Sequence, residues 1–322
     1  MTSRLWFLIL LVAWMAAMVS PSFADEPASE QFAALLDEAW EFALREDPLF
    51  ATETGDHRYD DQLPKASLAD EQRRDAVRRA FLARLEEVDR DALPATDQLN
   101  YDVFGRSLRD QIHAHDFQSY LMPISDRYGF HVDFPELPRN MPLATTRDYE
   151  NYIGRLRGFS AYVAGHIELM REGVRRSVTV PSVIMQRYHE PLEPQIVDDP
   201  EKSLLFAPLR EFPSTVPEDD HERLRGAARR AIADSVVPGY RKFLSFMKDE
   251  YVPNCRGTVA ASALPKGREY YRFCVAKFTT LDNLTPEQIH SIGQAEVTRI
   301  RGEMEKIIRD VKFDGDFAKF TQ

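Results

Sequence analysis

The chain is predicted to be an all-α, multi-helix array, and three observations carry that prediction. Apolar residues recur at steps of three and four almost throughout, as an amphipathic helix requires. A Ser, Thr or Asp stands ahead of several of these stretches, where its side chain can accept a hydrogen bond from the first free backbone N–H groups. Most of the 20 prolines fall in the connections between the stretches, where a fixed φ and a missing N–H do least harm.

Met1 to Ala24 reads as a secretory signal peptide. Arg4 gives the positive start, Leu5 to Val19 an apolar run of 15 residues, Pro21 the break, and Ser22-Phe23-Ala24 a small-residue cleavage site. A spanning helix needs roughly 18 to 20 apolar residues, so cleavage near Ala24 is expected rather than a stable membrane anchor. No cysteine lies near the site, so a lipid anchor is not expected, and the mature chain should be periplasmic or secreted. Removing the leader takes away Arg4 and no acid, so the net charge of −11 becomes −12. So acidic a surface excludes nucleic acid as a natural partner. The 298 residues left (322 minus 24) suffice for a sizeable core in one large domain or two smaller ones.

The first helix carries Phe32, Leu35, Leu36, Ala39, Trp40 and Ala43 on one face and ends at Asp47-Pro48. After a polar loop, Ser67 caps a second helix with Val77, Phe81, Leu85 and Val88 inward and a strongly charged opposite face. Thr96 is placed to cap a third, with Leu99, Val103, Leu108 and Ile112 inward. From Leu121 to Leu143 periodicity is lost among Tyr128, Phe130, Phe134 and four prolines, an ordered aromatic connection of the kind that packs over sites. The next helix, from about Thr146, places Tyr149, Ile153, Leu156, Val163, Ile167, Met170 and Val174 in a core stripe. Gly154, Gly158 and Gly165 lie inside it. Each interior Gly costs roughly 1 kcal/mol relative to Ala, which predicts close helix packing in compensation.

A short helix is expected from Pro181 to Gln186. The proline-containing acidic stretch that follows, near 190–218, is the best internal boundary. A helix from Asp219 or Asp220 then continues past Pro238, with a kink there. Beyond Pro253 come a short extended piece (258–261), a turn at Leu264-Pro265-Lys266-Gly267 and a helix from Arg268 to Lys277. The last long helix runs from Leu284 to about Val311, with Thr285 and Gln288 forming a capping box around Pro286. Its stripe of Ile289, Gly293, Val297, Ile300, Met304, Ile307 and Val311 must be buried by earlier helices or by a partner.

Several segments resemble, in order, the bacterial family catalogued as domain of unknown function 885. They are Asp47-Pro48-Leu49-Phe50-Ala51-Thr52, Gly55-Asp56-His57-Arg58-Tyr59-Asp60, Asp97-Gln98-Leu99-Asn100-Tyr101, Asp148-Tyr149-Glu150-Asn151-Tyr152, Ala263-Leu264-Pro265-Lys266-Gly267 with Tyr270-Tyr271, and the final helix start. The resemblance implies an exported, zinc-peptidase-like protein of two helical lobes. The family's His-Glu segment, its Pro-Gly-His-His run and its Glu-Gly-Trp segment, which resemble the zinc site of helical metallopeptidases, do not occur in this sequence. The residues 25–322 thus resemble the amino-terminal lobe, and zinc is expected only in full-length relatives.

Read directly, the residues offer little chemistry. No His-Glu-x-x-His occurs among the eight histidines, and no Gly-x-Ser-x-Gly or glycine-rich phosphate loop is present. The nearest approach to a metal pair is Glu287 with His290, one turn apart on the last helix; a dipole-complementing Glu and a packing His explain it more simply. His113 and His115 point in different directions on a helix and read as a solvated face. His57 and Arg58, in the densest polar loop, either bind a substrate terminus or order the loop through salt bridges. Tyr270 and Tyr271, near Arg268, line a peptide groove or divide between groove and core. Cys255 and Cys274 either join as a disulfide, which stabilises by roughly 3 kcal/mol, or stay as separate buried thiols. Two functional readings follow: the catalytically incomplete lobe of a zinc-peptidase-like protein, acting with a missing or separately encoded second lobe on a peptide, and a free-standing exported binding or scaffold module.

Overall fold

The computed structural model describes residues 27–125 and 127–321; the expected leader and its cleavage site lie outside them. The described residues are helical nearly throughout, with one isolated bridge between Pro181 and Arg256. None of their helices is long and apolar enough to cross a membrane. Contacts divide the chain at Gly257 and Thr258 into two compact units. The division does not fall in the 190–218 stretch, because Leu192, Leu205, Phe206, Leu209 and Val216 from that stretch are buried in the main core of the first unit.

In the first unit, helix α1 spans Ala28–Glu46. Asp47 does more than end it: its carboxylate accepts from the N–H groups of Leu49 and Phe50 and so caps a short helix, Pro48–Glu53. Helix α2 is Leu68–Glu87, with the Ser67 hydroxyl accepting from the Asp70 N–H. Helix α3 is Ala95–Asp116 and follows Pro94 without a side-chain cap, so Thr96 does not cap it. These three helices share a small core of Phe32, Leu35, Phe42, Phe81, Leu85 and Leu108. Leu99 and Val103 are more than 60% exposed, against expectation. The inward stripe of α3 is Tyr101, Phe104, Gly105, Leu108 and Ile112, because the two aromatic rings bury more apolar area than Leu99 and Val103 could.

Helix α4, Thr146–Arg175, organises the unit. Thr145 and Asp148 close a capping box at its start, and 13 of its residues are buried. Phe130, Phe134 and Leu137 of the aperiodic connection pack against it, as do the main-core residues of the 190–218 stretch, where its own Tyr152 hydroxyl donates to the Leu205 carbonyl at 2.6 Å. Gly154, Gly158 and Gly165 face an extended strap, residues 61–66, and not another helix: a Cβ on Gly154 would lie 3.1 Å from the Asp61 carbonyl oxygen, and one on Gly165 only 2.1 Å from that of Ala66. The backbone of the strap comes closer than a helix with side chains can, which explains why three glycines are tolerated here.

Helices α5, Glu218–Ala231, and α6, Val237–Phe246, complete the core. A π-helical turn, Ile232–Val236, precedes Pro238, and a second, Met247–Tyr251, precedes Pro253. The wider turn gives room to a ring that would clash with the carbonyl four residues back.

The second unit contains α7, Gly267–Thr279, and α8, Pro286–Asp310, followed by a turn of helix at Phe317–Phe320. The Thr285–Gln288 capping box forms as expected, yet α8 buries only Ile308. Val297, Ile300, Met304, Ile307 and Val311 are between 41% and 69% exposed.

Candidate functional site

The first unit carries a half-open cavity of about 630 Å³ where the small three-helix core meets α4. Its apolar walls include Trp40 and Phe50, packed edge to face at 5.6 Å, with Phe81, Phe104 and Tyr162. The charged residues at the cavity come from α1, from the strap and from α2, whose Glu71, Arg74 and Arg78 continue the line of Phe81 and Leu85 at steps of three and four.

The acids lining the cavity are already engaged. Glu46 meets Arg73 at 2.6 Å and Arg74 at 3.5 Å; burial opposes its charge, but these guanidinium groups outweigh it and hold the carboxyl below its usual range. Glu71 pairs with Arg74 at 2.6 Å, and Asp47 caps the Pro48–Glu53 helix. Arg74 also donates to the Lys65 carbonyl at 3.1 Å. Arg78 differs: no hydrogen bond or ion pair engages its guanidinium among the described residues, and burial pushes its pKa down. The imidazole of His166 also lines the cavity. It stacks on Phe130 at 4.4 Å with both ring nitrogens buried and unbonded, and burial, with smaller contributions from His131 and Arg74, lowers its pKa to about 4.

The residues singled out from sequence lie elsewhere. Arg58 is held by Asp56 at 2.5 Å and Glu41 at 2.9 Å, and His57 Nδ1 meets Asp60 at 2.9 Å. Asp60 itself is buried, accepting from the Thr52 hydroxyl at 2.6 Å. Arg155, 1% exposed, donates to that same Thr52 oxygen at 2.6 Å, to the Pro48 carbonyl at 2.8 Å and to the Gln62 carbonyl at 2.9 Å. This network pins the 55–62 loop to α4, and His57 joins it through Asp60. His115 is not solvated: it stacks on Tyr120 and lies 3.4 Å from Asp75, while His113 is exposed.

In the second unit, Tyr271 lines an open groove of about 860 Å³ with Arg268, Arg272, Asp282 and Glu287. Tyr270 is half-buried and interacts with Cys274 and Phe273. Glu287 is exposed at the start of α8, where its own backbone N–H and the Thr285 hydroxyl hold its carboxyl below the usual range, and His290 is exposed and bonded to Gln294 at 3.0 Å. No three His, Cys, Asp or Glu side chains converge as a metal site among the described residues. Cys255 and Cys274 are both free, half-buried thiols, one in each unit, rather than a disulfide; burial pushes that of Cys255 up to about 11.

The fold and cavity define an all-α protein with a half-open, aromatic-walled cavity in its first unit. The chain belongs to the family described as "Bacterial protein of unknown function (DUF885)", whose model matches residues 48–322. Among solved structures it is similar to "the putative lipoprotein from Colwellia psychrerythraea", with a TM-score of 0.82 and 20% identity over 90% of this chain and 52% of that one. At that identity the likeness shows the fold, and this chain spans about half the length of the solved chain. No curated protein matches.

Sequence reasoning missed Arg78, Tyr162 and His166 as cavity residues and Arg155 as the loop anchor. The signal for Arg155 was its step of three from Tyr152 and four to Phe159, both buried. For Arg78 it was the same spacing relative to Arg74 and Phe81 on a helix whose charge was assigned to the outer face.

Proposed function

We propose that this chain is the amino-terminal lobe of an exported, zinc-peptidase-like protein, and that α8 is the face on which a second helical lobe docks. The observation that carries the reading is the stripe from Val297 to Val311, a row of apolar side chains on one helix face left largely in solvent. Scattered exposed apolar residues are ordinary, but a contiguous row along a whole helix marks an interaction surface. Family membership and the greater length of the solved relative support the same partner. Zinc, base and attacking water would then come from the second lobe, and the chain alone would hydrolyse nothing.

The test is to mix the purified chain with the remaining half of a longer family member and follow the mixture by light scattering and peptide hydrolysis. A one-to-one complex that is lost in Val297→Glu/Ile300→Lys is the expected result. A chain that stays monomeric in the mixture, with the stripe variant behaving identically, would instead favour a free-standing binding module.

A further inference from the structure

The cavity of the first unit has a chemistry of its own, independent of any second lobe. Its volume of about 630 Å³ is within the range of small-molecule sites. Trp40, Phe50, Phe81 and Tyr162 make its walls apolar and aromatic. Glu46, Asp47 and Glu71 line it, but each is committed to a protein partner already described. Two cationic side chains lining it are not so committed: Arg78, and Lys65 on the strap, whose ammonium has no hydrogen bond or ion pair among the described residues. Glu71, Asp75 and Glu46 favour the charge of Arg78 from a distance, but none of them bonds it; a half-buried guanidinium whose N–H groups have no acceptor is costly to keep, and a ligand carboxylate would supply two acceptors in the geometry its fork matches.

We propose that this cavity binds a monocarboxylate carried on an apolar or aromatic body, with Arg78 holding the anion and the aromatic walls enclosing the rest. A dianion such as a phosphate is disfavoured by the three neighbouring carboxylates, and a strongly polar body by the walls. A free organic acid and the carboxyl end of a peptide with an aromatic last residue present the same chemistry.

Calorimetric titration of the full chain at neutral pH tests this with 3-phenylpropionate, its amide and phenethylamine. The acid should bind at least about tenfold more tightly than the amide. Arg78→Gln should weaken the acid about tenfold, Arg78→Lys should recover part of the loss, and Arg58→Gln, in the salt-bridged loop, should change nothing. Decanoate against N-acetyl-Ala-Phe then separates the sources: tighter decanoate assigns a free acid, and tighter peptide a chain terminus. Equal binding of acid and amide, preference for the amine, no binding up to about 10 mM of any acid, or an Arg78→Gln protein that melts normally and binds undiminished overturns the proposal. If Arg78→Gln does not fold, the acid–amide ratio of the unaltered chain and the Arg78→Lys protein decide.

Discussion

Helices α4 and α8 begin alike and end in opposite surroundings. Each opens with a capping box, Thr145 with Asp148 and Thr285 with Gln288, and each carries an apolar stripe over most of its length. Yet α4 buries 13 residues and α8 buries one. The local signals of a helix are satisfied within a few residues of chain, whereas burial depends on what the rest of the fold brings to the stripe. For α4 that is the strap, the aromatic connection and the 190–218 stretch. Within the second unit, the described residues leave the α8 stripe largely exposed, with only Ile308 buried.

Substitutions can sharpen this contrast. The largest effect is expected from Arg155→Met in the α4 network, which leaves the buried Asp60 without its cation and strips three carbonyls of a donor. Breaking a buried pair in this way costs about 3–5 kcal/mol, readable as a shift of the urea midpoint. Next comes pH. His131 and His166, packed around Phe130, are each lowered to about 4 by burial, so the unfolded chain takes up their protons first as pH falls. Stability is then full above about pH 6.5, declines between about 6.5 and 4 by a few kcal/mol for the pair, and levels below that. His131→Phe/His166→Phe should flatten that slope in urea melts. Gly165→Ala forces a methyl against the Ala66 carbonyl and should cost about 1–3 kcal/mol. The cap pair tests the comparison itself: Thr145→Ala should lower the main melting transition by about 1 kcal/mol, while Thr285→Ala should fray α8 alone in amide exchange. Smallest is Val297→Glu/Ile300→Lys, within about 0.5 kcal/mol of the parent by thermal melt. A large loss there would mean that the stripe is covered after all.

Most of the helices were legible in the sequence because caps and periodicity are local. Ser67 and Thr285 cap where their side chains and spacing place them, whereas Thr96 does not cap α3. What was illegible depends on which of two possible stripes a neighbour selects. In α3 the aromatic pair Tyr101 and Phe104 faces inward and leaves Leu99 and Val103 outside. Gly154, Gly158 and Gly165 of α4 announced a close neighbour without saying that it would be extended chain. The cavity was hidden because Arg78 and His166 are far apart in sequence, and a lone arginine on a charged helix ordinarily faces water.

The strap links these regions mechanically. Its Ala66 backbone rests on Gly165 and its Lys65 carbonyl is tied to Arg74, while Lys65 and Ala66 both line the cavity. One wall of the pocket is therefore backbone clamped between two helices, and it cannot swing aside as a side chain would. Widening the pocket must lift the strap from its glycine bed, so the slowest breathing motion of this region and the admission of a bulky guest should share one rate.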